Sequence, residues 1–136
     1  WTAKRRDGDN YLLSNGATST HAVDDLSQAV VVCGYGEVGQ RLCASLDKSV
    51  SYIAFSRDPS RIAAGILNGA TVTYGGGALP NLIRAAGVED PTAFGVTYVS
   101  ETRCLEATLR LRDAFPDVPI YVRATRQERV KALMDA

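Results

Sequence analysis

The run Val30-Val31-Val32-Cys33 passes without a break into Gly34-Tyr35-Gly36-Glu37-Val38-Gly39. Four apolar residues in succession suit a strand covered on both faces, and the G-x-G-x-x-G spacing suits a tight turn into a helix. Each glycine has its own use. Gly34 permits the turn, Gly36 lets a phosphate approach the backbone, and Gly39 lets helix and strand pack closely. The N–H groups of the first helical turn then face the anion, with the helix dipole behind them. Glu37 suits that dipole but would repel a phosphate brought close. The same spacing can also serve plain strand-to-helix packing.

Beyond the turn, the chain keeps alternating between helix and strand patterns. Glu37 to Leu46 places Val38, Leu42, Cys43 and Leu46 on one helical face. Tyr52 to Phe55 reads as a second strand. Asp58-Pro59 then supplies an N-cap and a first-position proline for a helix to about Leu67. Thr71 to Tyr74 is a third strand ended by Gly75-Gly76-Gly77, and Pro80 opens a short helix that Gly87 stops. Phe94 to Val99 predicts a fourth strand. Glu101 to Phe115 predicts a longer helix with Leu105, Leu109 and Leu111 as core candidates. Ile120 to Arg123 predicts a fifth strand, and Thr125-Arg126-Gln127-Glu128 has capping-box spacing for a final helix. Strands alternating with helices specify an α/β, Rossmann-like, doubly wound parallel sheet in a single domain, with strand order 3-2-1-4-5. Ligands of such sheets bind beyond the carboxyl ends of the strands, where the order reverses. That gathers Gly34 to Gly39, the Ser56 region, Gly75 to Ala78 and Thr97-Tyr98 around one crevice.

Composition narrows the function classes. The 136 residues carry a formal net charge of zero, so no excess of positive charge marks a nucleic-acid surface. No apolar run approaches a membrane span in length. Cys33, Cys43 and Cys104 lack CxxC or Cys/His spacing, which speaks against a zinc site and a disulfide framework and for a reducing compartment. Cys33 and Cys43 read as buried thiols; Cys104 lies near a helix start, where a thiolate is favoured, although the inert reading is preferred. The chain opens on Trp1, which reads as a piece of a longer protein. Residues 1–28 read as a poorly ordered linker or tail, in which Tyr11-Leu12-Leu13 could dock on the domain and His21 is a solvated residue. Residues 29–136 form the domain.

The second strand ends in Ser56-Arg57, where dinucleotide sites place an acid to hold the ribose hydroxyls. Two readings stand: Arg57 accepts a 2′-phosphate, or it is a solvated loop residue and ribose recognition is weaker. Gly75-Gly76-Gly77 is either a second backbone surface against a ligand or a flexible loop. Arg123 is either a phosphate partner or half of a surface ion pair.

With these residues in place, the chain resembles the RCK/KTN regulatory nucleotide-binding domain of potassium transport proteins, in particular that of plant and algal potassium-efflux antiporters of the thylakoid type. VVVCGYGEVGQ, RDPSRIAAG, TYGGGALPNLIRAAGVEDP and LRLRDAFPDVPIYVRA carry the resemblance, over roughly Val30 to Met134. It implies a non-catalytic domain appended to a membrane potassium–proton exchanger, paired with a second copy as a homodimer. It implies binding of an adenine nucleotide (ATP, ADP or AMP, with NADH or NADPH as options) and a place on the stromal side of the chloroplast thylakoid membrane. The turn Gly34, Tyr35, Gly36, Glu37, Val38 and Gly39 would take the phosphate. Ser56 and Arg57, Gly75 to Gly77, and Thr97 at the next strand end would face ribose and base. Arg123 falls on an arginine that recurs after the fifth strand. The chain departs from the family at Ser56, usually Asp, and at Gly75-Gly76, usually Gly-Asp; it also ends at Ala136, before the next strand expected in the family.

Two other functions compete. A degenerate module could act as a dimerisation or docking surface without nucleotide. An NAD(P)-dependent oxidoreductase fragment would need an acid–base group, and Tyr98 and Lys131 share no catalytic spacing.

Overall fold

A computed structural model describes residues 26–46 and 50–123. The apolar run forms the central strand β1 (Val30–Cys33), followed by α1 (Glu37–Leu46), β2 (Tyr52–Ser56), α2 (Pro59–Leu67), β3 (Val72–Tyr74) and α3 (Pro80–Ala85). The chain continues through β4 (Phe94–Val96), α4 (Glu101–Ala114) and β5 (Ile120–Val122). All strand pairs are parallel, and the five-stranded sheet has the order β3-β2-β1-β4-β5 expected from the alternation.

Strand periodicity divides the core into two layers. Val31 and Cys33 face one side, with Phe55, Phe94 and Val96, against Ile83 of α3 and Cys104, Ala107 and Leu111 of α4. Val32 faces the other, with Tyr52, Ala54 and Val72, against Cys43 and Leu42 of α1 and Ile62 of α2. Because both faces are covered, β1 needs apolar residues throughout, and Val31, Val32 and Cys33 are fully buried. Helix starts follow local chemistry. Asp58 accepts from the N–H groups of Ser60 and Arg61 at 3.0 and 3.5 Å, with Pro59 at the first helical position. Ser100 accepts from the N–H of Arg103 at 3.2 Å.

Two details differ from the expectation. β4 ends at Val96 rather than Val99: the Thr97 N–H still donates to the Cys33 carbonyl at 2.9 Å, and its hydroxyl donates to the Cys33 and Gly34 carbonyls, after which the chain leaves the ladder. On α4 the inward residues are Cys104, Ala107, Thr108 and Leu111, while Leu105 and Leu109 are 38% and 50% exposed.

Of the segment expected as a tail, residues 1–25 lie outside the described residues. Leu26 packs on the core, and the carbonyl of Ser27 accepts from the N–H groups of Glu89 and Asp90 at 3.1 and 2.8 Å. His21, the Tyr11-Leu12-Leu13 run, Lys131 and the capping box at Thr125 also lie outside the described residues.

Candidate functional site

The glycine turn is fixed from three sides. The N–H of Gly34 donates to the carbonyl of Phe55 at 3.0 Å, and its φ of +99° is one that glycine adopts without strain. The Thr97 hydroxyl shares its proton between the carbonyls of Cys33 and Gly34, at 2.9 and 3.1 Å. A Cβ on Gly39 would strike the Gly34 carbonyl oxygen and lie 3.1 Å from Thr97 Oγ1. Gly39 and Thr97 therefore act by holding the turn. Gly36 is different: a Cβ there would meet only Arg61 Nη1, at 3.4 Å, so its backbone stays open.

A cavity of about 600 Å³ lies over this turn, at the carboxyl ends of β1, β2 and β4. Gly34, Tyr35 and Gly36 form its floor, with Ser56 and Arg57 on one side, Gly75 beside them, and Thr97 opposite. These seven residues of the expected site are brought together. Ser56 is buried; its hydroxyl accepts from the Asp58 N–H at 3.1 Å, which leaves the hydroxyl proton to donate. Tyr35 contributes little surface, being packed among Val32, Cys43 and Val72 and against Gly65 of α2.

Six expected site residues stand elsewhere. Glu37 pairs with Arg41 at 2.8 Å, with both side chains 77% exposed, and does not line the cavity. Val38 and Gly39 follow it into α1 and do not line the cavity. Gly77 packs on Cys33, where a Cβ would come 3.0 Å from the sulfur. Gly76 borders a neighbouring cavity of about 190 Å³. Arg123 donates its backbone N–H to Val96 at 2.9 Å, and its side chain lines neither cavity.

The structure also adds residues. Arg61 from α2 and Arg103 from α4 both line the larger cavity, and the Arg103 guanidinium lies 3.9 Å above the Tyr98 ring. Among the described residues, Asp58 is the one carboxylate on this wall, and it is committed to the α2 cap and to Arg61, 3.7 Å away. Three guanidinium groups against one carboxylate make the cavity cationic. The signal available in the sequence was that α2 and α4 both begin just beyond strand ends, so their first turns reach the same crevice.

Cys33, Cys43 and Cys104 are all buried, and none is in a disulfide. Burial pushes the Cys33 thiol up from its ordinary 9.0 to about 12, with the neighbouring Cys104 adding to the effect. Burial likewise raises Tyr98 from 10.0 to about 12, against the lowering influence of Arg103 and Arg57. An acid whose pKa is raised on folding holds its proton in the native state while the unfolded chain loses it. The contribution is therefore complete below pH 9 and fades as pH rises from 9 towards 12. Melting temperature followed from pH 8 to 11 should fall continuously above pH 9; a flat profile would show that neither group is shielded.

A family model for the TrkA-N domain matches residues 30–136, and the chain belongs to that family. The chloroplastic K(+) efflux antiporter 3 of Arabidopsis thaliana is 35% identical over 109 residues, which cover 74% of this chain and 14% of the antiporter. The chain thus spans a small part of that relative. Among solved structures, the GsuK channel bound to NAD is similar with a TM-score of 0.67 and 27% identity, over 79% of this chain and 19% of the channel. The TrkA-N domain of inner membrane protein ybaL from Escherichia coli shares the fold, with a TM-score of 0.69 at 23% identity, over 83% of this chain and 84% of that domain.

Proposed function

We propose that this domain binds an adenine nucleotide in the larger cavity and regulates a potassium–proton exchange domain of the same polypeptide. The observation that carries this reading is an open Gly36 backbone at a helix start, under a cavity walled by Arg57, Arg61 and Arg103, in a TrkA-N chain. The residues fit the ligand: the bare turn admits a phosphate, the helix dipole and arginines neutralise it, and Ser56 offers its hydroxyl to a ribose. Similarity to the NAD-bound GsuK channel supports an adenine nucleotide, and similarity to the chloroplastic antiporter supports an exchanger partner and a chloroplast location. The thylakoid membrane, its stromal side and a homodimer complete the proposal.

No bond of the nucleotide need break. A nucleotide that prefers one arrangement of the paired domains shifts the exchanger by its difference in affinity for the two. The competing reading, a docking module without nucleotide, draws on Ser56 and Gly76 standing where the family has acids.

Thermal unfolding with ATP, ADP, AMP, NADH and NADPH separates the two. A ligand at about a hundred times its dissociation constant adds about 2.7 kcal/mol, a shift of several degrees for a domain of this size. A shift with at least one nucleotide is the expected result. A folded protein that shifts with none is a docking module.

A further inference from the structure

We propose that the wall beyond β2 is built for a phosphate on the ribose 2′ position, so that the favoured dinucleotide is of the NADP(H) rather than the NAD(H) type. The inference rests on the nucleotide-binding reading and names its ligand class.

A ribose with free hydroxyls asks for an acceptor at the end of the second strand, whereas a 2′-phosphate asks for cations and no nearby negative charge. Ser56 is neutral and already accepts from the Asp58 N–H. Asp58 is occupied by its cap and by Arg61. Arg57 makes no ion pair among the described residues, and its Nη2 lies 3.0 Å from the point where a Cβ on Gly76 would stand. A carboxylate at position 76 would reach that guanidinium and neutralise it; glycine leaves the charge available.

The two cavities share Arg57, Tyr98 and Arg103, so the basic wall continues past the first cavity to Arg110. Among the described residues, Glu106 is the single acid bordering the smaller cavity, against those three arginines. The Arg103 guanidinium carbon lies over the Tyr98 ring, 3.9 Å from its centre, which keeps it at the wall. A phosphate monoester carries about two negative charges and three acceptor oxygens, which suit two guanidinium forks better than one hydroxyl would.

The test is calorimetric titration of the 136-residue protein with 2′,5′-ADP and 5′-AMP, which differ only by the 2′-phosphate, and with NADPH and NADH. The phosphorylated member of each pair should bind about tenfold more tightly or better, as expected for a charge-assisted contact. Arg57→Ala should bring that ratio to about one, and Ser56→Asp should reverse it. Both variants are checked for an unchanged unliganded melting temperature. Equal affinities in the parent protein, or a ratio untouched in Arg57→Ala, overturn the 2′-phosphate site and leave the adenine-nucleotide reading standing. Failure of all four ligands, and of ATP, overturns both.

Discussion

Gly39→Ala should cost about 3 kcal/mol or more, a loss of over ~10 °C in melting temperature, or prevent folding outright. The new Cβ falls on the carbonyl oxygen of Gly34 and within 3.0 Å of its carbonyl carbon. Neither is the free end of a side chain. Gly34 is held by its own N–H bond to Phe55 and by the Thr97 hydroxyl, so the turn cannot retreat. The remaining escape is for α1 to lift from β1, which opens the contact of Cys43 with Val32 and Ala54. Gly69→Ala separates this clash from backbone strain. Gly69 has φ +86° with nothing within 4 Å of a new Cβ, so the cost there is left-handed backbone alone, about 1–2 kcal/mol. Equal losses at the two positions would refute close strand-to-helix packing as the reason for Gly39.

The glycine turn and the sheet order were legible because each rests on short-range pattern. An unbroken apolar run, a glycine spacing and an Asp-Pro cap fix local geometry, and the right-handed crossover then leaves few topologies. The face of α4 was less legible. Leu105 and Leu109 have the hydrophobicity expected of core residues, yet Cys104, Ala107 and Thr108 turn inward. Helical spacing decides there: Cys104, Ala107, Thr108 and Leu111 stand at i, i+3, i+4 and i+7, and Leu105 and Leu109 fall off that face. The cationic wall was least legible. Arg57, Arg61 and Arg103 lie on a loop and two helices, and only the reversal of strand order beside β1 brings them to one cavity. The departure at Ser56, read from sequence as a weakened ribose contact or a phosphate acceptor, takes its meaning from these neighbours.

Gly36→Asp should abolish nucleotide binding and leave the fold intact, which sets it apart from Gly39→Ala. Only Arg61 Nη1 comes near a Cβ at position 36, at an ordinary 3.4 Å, and that side chain is half exposed and free to adjust. The unliganded protein should therefore keep its stability to within about 0.5 kcal/mol, as at other uncrowded surface positions. Binding is another matter. The carboxylate takes the space left for a phosphate and sets like charge against it, and such a juxtaposition costs several kcal/mol, at least about a hundredfold in affinity. It also draws on the Arg61 charge. At a ligand concentration that gave the parent about 2.7 kcal/mol of stabilisation, a hundredfold weaker variant gains only about 0.4 kcal/mol, a shift near zero in the same melting experiment. Retained shifts in Gly36→Asp would mean that phosphate does not rest on this turn, whatever else binds the domain. A variant that loses the shift and melts normally assigns the turn to the ligand and Gly39 to the fold.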